Sequence, residues 1–211
     1  MELVERYKKK YAIGLVDVNN SLSTYNKFLH NIGVESSLEE IVLQIIKRKK
    51  KVRILDIGCG NAGVLCDLKN LFKDRVETIG MDLIAFSPQN ADRSIIGNAL
   101  QKRFPAQCDL VFSFRSLHEI GLASILVSKV CNGLAPKGMA FLAFRLHSIV
   151  NDKVEWSGAM HEKDEQFLFD ISQLKSFQRC KVSGKLSREE LSSGEKVVTG
   201  ILIKITKEDS K

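Results

Sequence analysis

No run of apolar residues in this 211-residue sequence is long enough to span a bilayer, which takes about 20 of them in a row. The opening Met1-Glu2-Leu3-Val4-Glu5-Arg6 lacks the apolar stretch of a secretion signal. Cys-x-x-Cys pairs are absent, and the cysteines are odd in number and scattered: Cys59, Cys66, Cys108, Cys131 and Cys180. This argues against a disulfide framework or a zinc knuckle, and no other metal set is expected. It also points to a reducing, cytoplasmic compartment. There is no internal repeat, no low-complexity tract and a single tryptophan, Trp156. What is there is an ordinary globular balance, with 32 Lys and Arg against 25 Asp and Glu. The resulting +7 permits an anionic partner such as RNA without requiring one.

Residues 1–50 read as a helical extension, 51–206 as one α/β domain and 207–211 as a tail. In the extension, Asn19-Asn20-Ser21 is a break, and Ser21 or Ser23 caps a helix through Asn26-Lys27-Phe28-Leu29. Ser36-Ser37-Leu38-Glu39-Glu40 resembles a capping box opening a helix over 38–47, with Ile41, Val42, Ile45 and Ile46 on one face. Lys47-Arg48-Lys49-Lys50-Lys51 follows. It reads either as a solvated helix end, where cations are favoured, or as a phosphate-contacting patch.

From there strands and helices alternate: strand 52–57, helix 62–72, strands 76–82, 94–97 and 110–114, helix 121–134, strand 139–145. Such alternation predicts a parallel sheet with helices on its faces. The link 83–93 is too broken for a full helix. Residues 147–165 are polar and read as a loop or small insertion, and 167–177 as a helix. Residues 180–186 and 196–206 read as two strands joined by a short turn, hence antiparallel.

The chemistry centres on Arg53-Ile54-Leu55-Asp56-Ile57-Gly58-Cys59-Gly60-Asn61-Ala62-Gly63, a buried strand that runs into a glycine turn and opens a helix. Gly58 and Gly60 tolerate positive φ and let a ligand approach the backbone. The helix start offers free N–H groups. The Gly-x-Gly-x-x-Gly spelling, with Asp82 about twenty residues on, fits dinucleotide binding in general. Asp56, two residues before Gly58, would face a pyrophosphate unfavourably. It suits the amino group and positive charge of a sulfonium amino acid. Little chain is left for a separate hydride-acceptor domain.

Leu55-Asp56-Ile57-Gly58-Cys59-Gly60 resembles the first motif of the class I S-adenosylmethionine-dependent methyltransferases. Thr78-Ile79-Gly80-Met81-Asp82-Leu83 is similar to the second, whose acid takes the ribose hydroxyls. Ile96-Gly97-Asn98-Ala99 resembles the Gly-Asp-Ala step at the adenine edge, with Asn98 in place of the acid. An amide still carries an acceptor and donors. Cys108-Asp109-Leu110-Val111-Phe112-Ser113-Phe114 with Ser116-Leu117-His118-Glu119 resembles the fourth-strand motif and the loop after it, and Leu134-Ala135-Pro136-Lys137-Gly138-Met139 the turn into the fifth strand. The resemblance covers residues 51–145 in order. It implies a three-layer, Rossmann-like seven-stranded sheet, mostly parallel with the last strand antiparallel. It implies S-adenosyl-L-methionine as cofactor and in-line methyl transfer to an acceptor, whether RNA, protein or small molecule. The cofactor residues it implies are Asp56, Gly58, Gly60, Asp82, Leu83, Asn98, Ala99 and Ser113.

His118 follows the fourth strand, where the acceptor belongs, and is the candidate base. Alignment of the nucleophile alone supplies much of the rate of such transfers. Phe114 reads as cofactor floor, by cation–π attraction, or as plain core. His147, after the fifth strand, is a further candidate base. His161 and Trp156 read as substrate lid or surface loop, and Tyr7, Tyr11 and Tyr25 as site aromatics or helix packing. The heat-shock RNA methyltransferase family, another resemblance, uses a Lys-Asp-Lys-Glu set that is incomplete here, with Arg145 where a Lys is wanted. The Asn-Pro-Pro-Tyr type signature of amino-methylating enzymes is absent. A second class of reading is a non-catalytic cofactor- or RNA-binding module on the same fold.

Overall fold

Val52-Arg53-Ile54-Leu55-Asp56-Ile57 forms strand β1 (Val52–Ile57) and is buried along nearly its whole length. A near-continuous apolar strand of this kind belongs in the middle of a parallel sheet covered on both faces. The structure is a computed structural model. It describes Glu5, Lys9 and residues 20–31, 33–114, 116, 123–145, 147–156 and 179–209. The elements around β1 are α1 (Leu22–Asn31), α2 (Leu38–Ile46), α3 (Gly63–Phe72), β2 (Val76–Asp82), β3 (Arg93–Ile96), β4 (Cys108–Ser113), α4 (Ala123–Gly133) and β5 (Leu134–Arg145). A hairpin, β6 (His147–Val150) and β7 (Lys153–Trp156), and a last pair, β8 (Cys180–Glu190) and β9 (Lys196–Lys207), complete the described elements.

Seven strands form one sheet in the order β3-β2-β1-β4-β5-β9-β8. β9 alone runs against its neighbours β5 and β8. The fold is therefore the three-layer Rossmann-like sheet with one antiparallel strand. The chain walks outward from β1 through β2 to β3, then returns to β4 on the other side. The carboxyl ends of β1 and β4 flank that reversal, where ligands of open α/β sheets bind.

Alternate residues of a strand face opposite sides, and two cores result. Leu55, Ile57, Ile79, Met81, Val111 and Leu142 pack on the α4 side. Val52, Ile54, Leu110, Phe112 and Phe141 pack with Tyr25, Leu29, Leu38 and Val42 of α1 and α2 and with α3. Asp56 follows Ile54 by two residues and so shares the α1 face. Asn26 joins the two N-terminal helices: its Oδ1 accepts from the Leu38 N–H at 2.8 Å and its Nδ2 donates to Glu39 at 2.7 Å. Ser37 and Glu40 form a capping box on α2.

Part of the basic run is spent on structure. Lys49 Nζ lies 2.6 Å from the buried Asp109, which also accepts from the Arg53 N–H at 2.9 Å. This happens at the amino ends of the strands, about 20 Å from the glycine turn across a six-residue strand.

Of the two alternatives for residues 147–165, loop or small insertion, 147–156 take the second, as a hairpin: Val150 pairs with Lys153 around Asn151-Asp152, both at positive φ (49° and 60°). That is the type I′ geometry that suits two-residue hairpins, and polar composition hid it. The fifth strand starts at Leu134, earlier than expected, because a bulge between Cys108 and Leu110 absorbs the Pro136-Lys137-Gly138 turn. Link 83–93 carries no helix, as read. The expected helix over 167–177 lies outside the described residues. Among the described residues, no helix is long and apolar enough to cross a membrane.

Candidate cofactor site at the glycine turn

The turn after β1 is folded back over the end of β2. The N–H groups of Gly58 and Cys59 both donate to the Met81 carbonyl, at 2.7 and 3.2 Å. Gly58 and Gly60 have φ of 74° and 58°, in the left-handed region where glycine is at home. A Cβ on Gly58 would run into Ser116. Ala62 is also left-handed, at φ 59°, and α3 starts just after it with no side-chain cap from Ala62. Asn61 Oδ1 instead accepts the Gly63 N–H at 3.0 Å. The main-chain carbonyl of Asn20 presses on Gly63, where a Cβ would collide with it.

Asp56 is fully buried. Its Oδ2 lies 3.5 Å from the Tyr25 hydroxyl, which donates to it from α1. Its Oδ1 has no partner among the described residues. Burial pushes the carboxyl well above the usual carboxylate range, the Asp82 charge pushes the same way, and the Tyr25 hydrogen bond opposes both. Asp82 closes β2 and is also buried. Its Oδ2 accepts from Gly60 N–H at 2.8 Å and its Oδ1 from Ile84 N–H at 3.3 Å. Burial raises its pKa, and the amides of Gly60, Ile84 and Leu83 work against that. Neither acid has a Lys or Arg partner among the described residues.

The Gly97 N–H donates to the Asp82 carbonyl at 2.8 Å, which brings Asn98 and the buried Ala99 beside Asp82. Asn98 Oδ1 accepts from the Leu100 N–H at 2.9 Å, so its Nδ2 donors are what it offers a ligand. Ser113 is buried and its hydroxyl donates to the Ile57 carbonyl at 2.6 Å. The Ser116 hydroxyl donates to the same carbonyl at 3.0 Å and sits 2.9 Å from Ser113 Oγ. These two serines brace the end of β4 against the end of β1, just before the turn. Phe114 is buried in an aromatic cluster with Tyr25 (centroids 5.0 Å apart), Phe28 (5.2 Å) and Phe112 (5.9 Å).

Thus Asp56, Gly58, Gly60, Asp82, Leu83, Asn98, Ala99 and Ser113 converge on one end of the sheet. His118, Glu119, His161, Tyr7 and Tyr11 lie outside the described residues. Sequence reasoning gave no site role to Ser116 or Asn20 and left Tyr25 open between site and packing. Local spelling carries no signal for these, since each reaches the turn from a distant part of the chain. A separate cleft of about 420 Å³, lined by Glu35, Ser183, Lys185 and Lys204 among others, shares no residue with the turn.

The site has an observable need for a cation. Among the described residues neither acid has a basic partner; the Gly60 and Ile84 amides support a charge on Asp82, whereas Asp56, with an orphaned oxygen, is stable when protonated or when a positive group joins it. A sulfonium amino acid with its ammonium meets that need.

No family model matches the chain, and no curated protein matches it. Solved structures do. The Burkholderia thailandensis 1,6-didemethyltoxoflavin-N1-methyltransferase, with its toxoflavin precursor and S-adenosylhomocysteine bound, is similar at 12% identity over 98% of this chain and 88% of that one, TM-score 0.56. A Haemonchus contortus phosphoethanolamine N-methyltransferase, with S-adenosylhomocysteine, is similar at 14% identity over 81% of this chain and 53% of that one, TM-score 0.51. An S-adenosylmethionine-dependent methyltransferase from Mesorhizobium loti is similar at 12% identity over 83% and 100%, TM-score 0.50. At these identities the likeness is one of fold: the chain has the fold of the class I S-adenosylmethionine-dependent methyltransferases.

Proposed function

We propose that the chain is an S-adenosylmethionine-dependent methyltransferase, with residues 1–50 as an extension, 51–206 as the transferase domain and 207–211 as a tail. The observation that carries this reading is the pair of buried acids, Asp56 and Asp82, at the glycine turn, without basic partners among the described residues. In it, Asp56 holds the amino group, Asp82 and Leu83 the ribose, and Asn98 and Ala99 the adenine edge. Gly58 and Gly60 let the ligand lie against the backbone, and Ser113 keeps the turn in place through Ile57. The cofactor, when bound, supplies a methyl group already activated by the positive sulfur. The protein's part is to exclude water, hold the nucleophile in line and take its proton, for which His118 is the candidate.

Calorimetric titration with S-adenosylhomocysteine tests the reading. Binding with a Kd on the order of micromolar is expected, weakened at least about tenfold in Asp82→Ala. No heat at millimolar ligand sinks it.

A second reading, a binding module without turnover, is favoured by one observation: Asn98 stands where the family has an acid, and its oxygen is spent on Leu100. Transfer of labelled methyl to fractionated cell extract separates the two and names the acceptor class. RNA as acceptor draws support from the +7 charge. It requires an affinity that falls steeply with salt, because phosphate contacts release counterions.

A further inference from the structure

Two buried side-chain oxygens among the described residues have no partner: Asp56 Oδ1 and Asn20 Oδ1. An acceptor buried without a donor is expensive, and such groups call for an explanation by a ligand or a bound water. Asp56 is accounted for above. Asn20 is not, and it is only 9% exposed. It immediately precedes α1, and together they are held to α3 and β1 at three points. The Asn20 carbonyl presses on Gly63, the Leu22 N–H donates to Asp67 Oδ2 of α3 at 3.0 Å, and the Tyr25 hydroxyl donates to Asp56. Asn20 therefore lies against the start of α3, where the glycine turn ends. No Lys or Arg of the described residues pairs with Asp56.

We propose that Asn20 and Asp56 together seat the α-ammonium of the cofactor's amino-acid end, so that the N-terminal segment contributes a ligand-binding residue and does not merely cover the site. An ammonium brings three donors and no acceptor, which matches an amide oxygen and a carboxylate oxygen that are both without donors. Asn20 adds an acceptor without adding a third negative charge beside Asp56 and Asp82. This inference rests on the cofactor reading above.

The experiment uses the full chain and two probes, S-adenosylhomocysteine and 5′-methylthioadenosine, which keeps the nucleoside and thioether but lacks the amino-acid end. Affinities are measured by calorimetry on wild type, Asn20→Ala and Asn20→Leu. Asn20→Ala is expected to weaken S-adenosylhomocysteine about tenfold, the loss of one hydrogen bond to a charged group. It leaves methylthioadenosine within about twofold. Asn20→Leu keeps the size of the side chain, removes the acceptor and is expected to show the same selective loss. Should Asn20→Ala not melt cooperatively, Asn20→Leu decides in its place: an equal change in both probes, or none, overturns the proposal. An equal loss of both probes in Asn20→Ala overturns it too, since that marks a purely structural residue. No loss of either overturns it as well, leaving Asn20 to a buried water. Failure of the wild type to bind either probe would instead sink the cofactor reading itself.

Discussion

At the scale of single residues, Asp56 sets the behaviour of the site. Its carboxyl is raised by burial first and by Asp82 second, so in the ligand-free chain its ionised form costs stability. The sign follows from linkage. Below the ordinary carboxylate range of about 4 the group is protonated both folded and unfolded, and the cost is absent. It grows as pH rises from there toward the raised folded pKa, where the unfolded chain is ionised and the folded one is not, and is full above it. Asp56→Asn removes it, and the variant is expected to melt higher than wild type at pH 8, by about 2–4 °C per kcal/mol regained. The gain shrinks at pH 5, and S-adenosylhomocysteine binding is lost. A scanning-calorimetry series over pH checks this. Tyr25→Phe also weakens the ligand, but through the pH at which Asp56 ionises. The hydroxyl holds the Asp56 pKa down, so its removal raises that pKa further. The pH at which S-adenosylhomocysteine affinity is half lost should move upward, while the ring stays in its aromatic cluster and stability changes by only about 1 kcal/mol.

At the scale of elements, the turn between β1 and α3 is where backbone conformation and packing coincide. Gly58→Ala forces a side chain into positive φ and into Ser116 at once. The left-handed conformation costs about 1–2 kcal/mol, and overpacking about 1–3 more. Urea unfolding should register a loss of about 2–5 kcal/mol. Ser116→Gly added to Gly58→Ala should recover the packing part and leave the conformational part, which a double-mutant cycle resolves. The strands and α3 were legible because their apolar periods are local. The β6–β7 hairpin was not. Its two-residue Asn151-Asp152 turn is a hairpin signal, but polar residues around it resembled a loop. Its tip is then held by tertiary contact, with Asp152 accepting from the Ser192 N–H at 2.8 Å and from the Ser192 hydroxyl.

At the scale of the whole molecule, the N-terminal helices belong to one of the two cores. Tyr25, Leu29, Leu38, Ile41, Val42 and Ile45 share it with Ile54, Leu110, Phe112 and Phe141 of the sheet. A chain of residues 51–211 would expose that face of the sheet. It is expected to bind a hydrophobic dye and to lose its cooperative melting transition, the marks of a compact state without fixed packing. A 51–211 chain that melts cooperatively would show that the sheet is stable without its N-terminal cover.

The alternation of strands and helices, the glycine turn, and the placing of Asp56 and Asp82 at strand ends are all local properties of the chain. Each is written in neighbouring residues through periodicity, turn chemistry and motif spacing. What those residues meet depends on long-range packing. Tyr25 reaches Asp56 across 31 positions, Ser116 reaches Ile57 across 59, and Asn20 lies against Gly63. Asn98 was legible as a departure from the family's acid, but its use of Leu100 depends on the turn it starts. Lys49 belongs by sequence to a basic run, and its partner, Asp109, lies 60 positions away. The reason is the same in each case. Backbone hydrogen bonding and side-chain period act within a few residues, whereas burial, and with it the protonation of a carboxylate, is settled by whichever distant segment packs over it.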